Sequence, residues 1–205
     1  MKNKLNFPVL LIACLSGLFF VSGELSAQSE NKAAPNINTL QDGDVQTVSA
    51  RIASMYGVDV QVVGRFVQAA VNLESRIGVS APVIIAIAIH ESSFKSELFE
   101  HAGNPFGIKA SKPWVGPTYS KWEDGEEIKY RVYASPEEAI WDFGSFVKSR
   151  TWYEDVLDCP IDDSRCVTDG LKKTDSEPGY SMNPNWDEAV MGIIQKVGLQ
   201  SLVTR

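Results

Sequence analysis

The chain has 205 residues, of which 44% are hydrophobic and 22% charged, with a formal net charge of −7. That length suits one compact domain, and the acidic balance excludes a nucleic-acid binder that works by general charge attraction. The same sign argues against adhesion of the whole surface to anionic polymers or anionic lipid, so binding of such a partner must rest on a local cleft.

In chain order, Lys2 and Lys4 precede a largely apolar run from Phe7 to Val21, and Leu25-Ser26-Ala27 stands before Gln28. This is the pattern of a secretory signal peptide over residues 1–27, which predicts export to the periplasm or cell envelope. The run contains Pro8, Ser16 and Gly17 and is short against the ~20 apolar residues of a membrane span. Leu11-Ile12-Ala13-Cys14 also resembles a lipobox, although Leu18-Phe19-Phe20-Val21 continue the apolar run beyond the cysteine. A membrane partner is therefore expected only if Cys14 is lipidated. Residues 28–44, with Asn31, Pro35, Asn36, Asn38, Gln41 and Asp42, read as a flexible tether, and residues 45–205 as the domain.

Apolar residues recur at helical spacing over 45–56 and 60–77, with Gly57 and Gly78 as stops. Ser80 or Ala81 then precedes Pro82, which opens a third helix ending near Glu91. The period changes next: Thr118 to Glu123 and Glu126 to Tyr133 flank Asp124-Gly125, the signal of a two-residue hairpin. Ser135 is placed to cap a helix beginning Pro136-Glu137-Glu138 and running to about Arg150. Asn183-Pro184 repeats the device before a last helix that ends near Gly198. The elements predict an α+β fold, mainly helical, with one hairpin.

Glu91 is the most informative residue. Ala88, Ile87 and Ile84 precede it by three, four and seven positions, so they share its helix face. A carboxyl that continues an apolar face is expected to be partly buried, and burial raises its pKa toward the range where it can donate a proton near neutrality. The alternative is a solvated first polar residue after a core helix, or a pair with Lys95 at i+4.

With Cys14 leaving in the signal, Cys159 and Cys166 remain as an even pair in an exported chain, which predicts a disulfide. A metal site is not indicated: the two cysteines lack two nearby partners, and His90-Glu91 is followed at 94 by phenylalanine rather than histidine. Nothing in the sequence indicates an organic cofactor either.

Four blocks, in order, carry a resemblance. They are Ala88-Ile89-His90-Glu91-Ser92-Ser93-Phe94-Lys95-Ser96; Asn104-Pro105-Phe106-Gly107-Ile108-Lys109-Ala110 with Trp114 and Gly116 after it; Tyr130-Arg131-Val132-Tyr133-Ala134-Ser135; and Gly179-Tyr180-Ser181-Met182-Asn183-Pro184-Asn185-Trp186. Together they resemble the glucosaminidase family, glycoside hydrolase family 73, over about residues 80–198. The chain departs from the family pattern where Phe94 replaces a tryptophan, Lys95 a common glycine, and Trp186 a tyrosine.

The resemblance implies a lysozyme-like helical lobe and a small β-hairpin lobe, with a cleft between them that binds peptidoglycan glycan strands. It implies an endo-β-N-acetylglucosaminidase with Glu91 as catalytic acid. In the family a second carboxylate sits on the hairpin; Glu123 is the best match, with Asp124 and Glu126 as competitors. Tyr180 matches a tyrosine that supports catalysis in the family, and a substrate-assisted route through the 2-acetamido group stays open beside the two-carboxylate route. Sugar rings present apolar faces, so Phe94, Trp114, Tyr119, Trp122 and Trp186 are candidate platforms, and Asn104 a candidate ligand of the N-acetyl group or of its own turn. Phe106, Tyr133, Trp141 and Phe146 read as packing residues. A Glu-Ser-x-Phe sequence after an apolar helix also resembles lytic transglycosylases, and a non-catalytic wall-binding protein with an inherited cleft is the third reading.

Overall fold

The computed structural model describes residues 38–172 and 179–203. The segment read as a signal peptide, Cys14 and residues 28–37 of the expected tether lie outside these residues. Eight α-helices are described, α1 (Asn38–Tyr56), α2 (Val60–Ile77), α3 (Ala81–Ser92), α4 (Glu97–Ala102), α5 (Pro136–Lys148), α6 (Glu154–Asp158), α7 (Ser164–Leu171) and α8 (Trp186–Val197), with strands β1 (Thr118–Glu123) and β2 (Glu126–Arg131). The fold is mainly helical α+β with one hairpin, as predicted. α1 begins at Asn38, inside the stretch read as a tether. Extending a helix costs little once packed turns have nucleated it, so polar residues can continue it outward.

α3 forms the spine of the core. Every residue from Ala81 to Ile89 is buried, because α2, α7, α8 and the C-terminal 3₁₀ turn at Leu199–Leu202 pack around it. Such a helix must be apolar on all faces. Its start uses an unexpected cap: the Ser80 side chain makes no capping bond, and the Ala81 amide donates instead to Glu74 Oε2 at 2.9 Å. A carboxylate at a helix N-terminus is favoured there by the exposed amides and the macrodipole. α2 also packs on α5, closely enough that a Cβ on Gly144 would lie 2.6 Å from Ile77 Cβ.

The hairpin pairs β1 with β2 antiparallel, Tyr119 opposite Tyr130 and Glu123 opposite Glu126. Asp124 (φ 51°) and Gly125 (φ 87°) supply the two positive φ angles that the two-residue turn requires. β2 ends at Arg131, before the expected Tyr133, because the Tyr133 amide turns to the Ala102 carbonyl. The hairpin rests on α4, where the Tyr119 hydroxyl donates to Glu97 Oε1 at 2.6 Å and its ring stacks on His101. α4, α6 and α7 were not foreseen; with six, five and eight residues they are too short for periodicity to register.

Cys159, at the end of α6, and Cys166, in α7, are joined by a disulfide with a Cα separation of 5.7 Å. Ser135 Oγ accepts from the Glu138 amide at the start of α5, the predicted cap.

Candidate active site

A cleft of about 480 Å³ opens beside the end of α3 and is lined by Glu91, Asn104, the segment from Phe106 to Lys109, Tyr130, Phe146, Arg150 and Tyr180, among others. Five separate parts of the chain meet there, and four local devices fix them.

The first is the exit from α3. Ser92 Oγ donates to the Ala88 carbonyl at 2.7 Å and accepts from the Phe94 amide at 3.1 Å. Ser93 and Phe94 both take positive φ, 49° and 55°. This reversal sends Phe94 into the core, 4% exposed, with its ring edge-on to Phe66 and Phe99. Phe94 is therefore a packing residue and not a sugar platform. Two successive left-handed non-glycine residues are uncommon, and here the burial of Phe94 holds them in place.

Glu91 itself is exposed. Its expected burial is corrected for a simple reason: a helix buried on every side has no polar face to continue, and at its last turn the chain leaves the core. Lys95 does not serve as its partner, since Lys95 Nζ donates to the Tyr56 carbonyl. The Glu91 carboxylate is instead held by Trp186, whose Nε1–H donates to Oε1 at 3.2 Å. Trp186 is 1% exposed and packs edge-on to His90. It too is corrected from platform to positioning residue, because a ring so deeply buried has no face for a sugar.

The second device is the loop after α4. Gly103 has φ 58°, and a Cβ there would sit 2.5 Å from the Tyr133 carbonyl oxygen, so only glycine fits. Asn104, fully buried, follows it. Asn104 Nδ2 donates to the carbonyls of Ile108 (3.0 Å) and Arg131 (2.9 Å), and Oδ1 accepts from the Ile108 amide (3.2 Å). With these bonds made inside the protein, Asn104 staples the loop and is not an N-acetyl ligand. Lys109 then bridges to Tyr130 beside β2.

The third device ties the hairpin end to α5. Arg131 Nη1 meets both Asp142 oxygens at 2.8 and 2.7 Å, and the Tyr133 hydroxyl donates to Asp142 Oδ2 at 2.6 Å. Burial and the Asp142 carboxylate push the Tyr133 phenol far up, so it stays a donor. Trp114 lies on this cluster, its ring under the Arg131 guanidinium at 4.8 Å and edge-on to Tyr133. Trp114, Tyr119 and Trp122 do not line the cleft. Trp114 and Tyr119 are half-buried in local packing, while Trp122 is 74% exposed and points to the opposite hairpin face from Glu123.

The fourth device is Tyr180, whose hydroxyl donates to the Phe106 carbonyl at 2.9 Å. Its ring lies against Trp186 at 5.2 Å and against Phe143 and Phe146. Burial, then the Glu91 charge, raises its pKa well above the ordinary phenol value. Tyr180 thus stays protonated beside the carboxylate and locks the loop to the C-terminal segment.

Glu123 connects to the cleft through Tyr130, whose hydroxyl donates to Oε2 at 2.7 Å, with Lys121 Nζ 3.2 Å from Oε1. The Tyr130 hydrogen bond, aided by the Lys121 and Lys109 charges, holds the Glu123 carboxyl below the usual carboxylate value. Glu123 and Glu126 share a face as a cross-strand pair. Among the expected site residues, the fold gathers Glu91, Tyr180 and Trp186 directly and Glu123 through Tyr130. Sequence reasoning assigned no site role to Tyr130, Lys109, Phe146 or Arg150. Tyr130 and Lys109 lie in the segments that carry the family resemblance, whereas Arg150 stands at the end of a predicted helix. Trp141, read as packing, is half exposed under Arg76.

Comparison with known proteins places this geometry. The family model "Glucosaminidase: Mannosyl-glycoprotein endo-beta-N-acetylglucosaminidase" matches residues 67–199. The Peptidoglycan hydrolase FlgJ of Pseudomonas aeruginosa is 27% identical over 161 residues, covering 72% of this chain and 39% of the relative. That of Salmonella typhimurium is 28% identical over 137 residues, 60% of this chain and 42% of the relative. The chain spans about two fifths of the length of the curated relatives it matches. The glycoside hydrolase domain from Salmonella typhimurium FlgJ superposes with a TM-score of 0.57 at 25% identity, over 70% of this chain and 91% of that one. A peptidoglycan hydrolase from Sphingomonas sp. A1 shares the fold, with a TM-score of 0.54 at 22% identity over 67% and 92% of the two chains. On the match over residues 67–199, this chain belongs to the glucosaminidase family and is a glycoside hydrolase.

Proposed function

We propose that the protein is an exported peptidoglycan hydrolase that cuts glycan strands at N-acetylglucosamine β-1,4 bonds. The observation that carries this reading is the position of Glu91: exposed to an open cleft, yet fixed by Trp186. Glycoside hydrolysis needs a proton delivered to the leaving oxygen and stabilisation of an oxocarbenium-like centre. Glu91 is the proton donor. Because the fold leaves it exposed at the cleft, its carboxyl can reach the leaving oxygen of a sugar chain bound there.

Glu123 is the second carboxylate. Its bonds from Tyr130 and Lys121 favour the ionised form, which is the form that accepts a proton from water. The relatives named as peptidoglycan hydrolases support the substrate class.

The test is mass spectrometry of fragments released from purified sacculi after borohydride reduction. Fragments with reduced N-acetylglucosamine ends are expected, and Glu91→Gln should release none while keeping the wild-type melting temperature. Anhydro-ended fragments would establish a lytic transglycosylase instead, and no release by the wild type would leave a wall-binding protein.

A further inference from the structure

The chain is acidic, yet the charged side chains that line the cleft are one carboxylate, Glu91, and two cations, Lys109 and Arg150. Arg150 is the unusual one. It is half-buried, its guanidinium carbon lies 3.4 Å from the centre of the Phe146 ring, and Nη1 donates to the Phe146 carbonyl at 2.8 Å and to Ser149 Oγ at 3.3 Å. Among the described residues no carboxylate forms an ion pair with it. Burial lowers its pKa, the cost of holding a cation partly out of water. By contrast, Arg131 has Asp142 and Arg165 has Glu188. The ring contact and the carbonyl hold the guanidinium in place on the wall of the cleft, and its planar donor fork is suited to a planar anion.

We infer that Arg150, with Lys109, forms a subsite for a carboxylate carried by the glycan, and that it selects acidic over neutral N-acetylated chains. This rests on the peptidoglycan reading above and deepens it. A muramyl residue offers such carboxylates from two alternative sources, its lactyl ether once the peptide is removed or the stem peptide while it is attached. A chitin-like chain offers none. The local charge also offsets the repulsion that an acidic protein exerts on an anionic polymer.

Soluble strands stripped of stem peptide by an amidase, which exposes the lactyl carboxylate, and peptide-bearing strands are each compared before and after carbodiimide amidation. Binding is measured calorimetrically on Glu91→Gln protein, so that hydrolysis plays no part and failure of the subsite is distinguishable from failure of the proposed reaction. Amidation is expected to raise Kd about tenfold. Adding Arg150→Gln should raise Kd for the carboxylate strands by a similar factor, with little further loss on the amidated ones. A penalty confined to peptide-bearing strands assigns the subsite to the peptide carboxylate. Equal Kd for carboxylate and amidated ligands of both kinds overturns the inference, and that comparison holds even if the Arg150 variant fails to fold.

Discussion

Trp186 Nε1 donates to Glu91 Oε1 at 3.2 Å across 95 positions of sequence, so the last long helix orients the carboxylate carried by the third. Trp186→Phe keeps a buried ring and removes the N–H. The expected result is a fall in kcat on peptidoglycan of about tenfold, the scale of a hydrogen bond to a charged group, with KM little changed. A variant with wild-type kcat would show that Glu91 needs no such orientation.

The Glu123 carboxyl is held below its ordinary value of 4.5 by the Tyr130 hydroxyl and Lys121. A carboxyl depressed in the folded state binds fewer protons than in the unfolded chain. Its stabilisation is therefore fully present above 4.5 and lost as pH falls through the folded value. If Glu123 is the base, the acid limb of kcat/KM in free enzyme should lie below pH 4.5. Tyr130→Phe should move that limb upward, while Glu126→Gln should leave it in place. A limb that ignores Tyr130→Phe removes Glu123 from the role.

Glu123→Gln combined with Tyr180→Phe separates the two chemical routes. If water is activated by Glu123, Glu123→Gln should cost about 10² to 10⁴ in rate, and Tyr180→Phe much less. The reverse order, measured on purified peptidoglycan, would favour assistance by the substrate acetamido group.

Asn104→Ala leaves the Ile108 and Arg131 backbone groups without their buried partners. Unfolding in urea should show a loss of about 2 to 3 kcal/mol. Unchanged stability with raised KM would return Asn104 to substrate binding.

The Cys159–Cys166 bridge closes a sequence separation of 7. Loop entropy for so short a span is about 2 to 3 kcal/mol. Replacing both cysteines by serine should lower the melting temperature without altering kcat. Free thiols on alkylation of the unreduced protein would contradict the pairing.

What the sequence determined on its own was whatever local chemistry writes into short windows. The Asp124-Gly125 turn, the Ser135 cap, the stops at Gly57, Gly78 and Gly198, the apolar third helix and the place of Glu91 at its end were all legible. Only tertiary structure decided which way the aromatic side chains face. Phe94 and Trp186 are as apolar as a sugar platform must be, but the reversal at Ser93-Phe94 and the packing of α8 on α3 carry both into the core. Glu91 is exposed because the chain leaves the core at the last turn of α3, and periodicity could not show this, since a helix surrounded on every side has no polar face to read. The partners of Asn104, Tyr180 and Arg150 lie in carbonyls and rings brought near by folding. Side-chain identity fixes what a group can bond, and only the assembled chain fixes which groups are within reach.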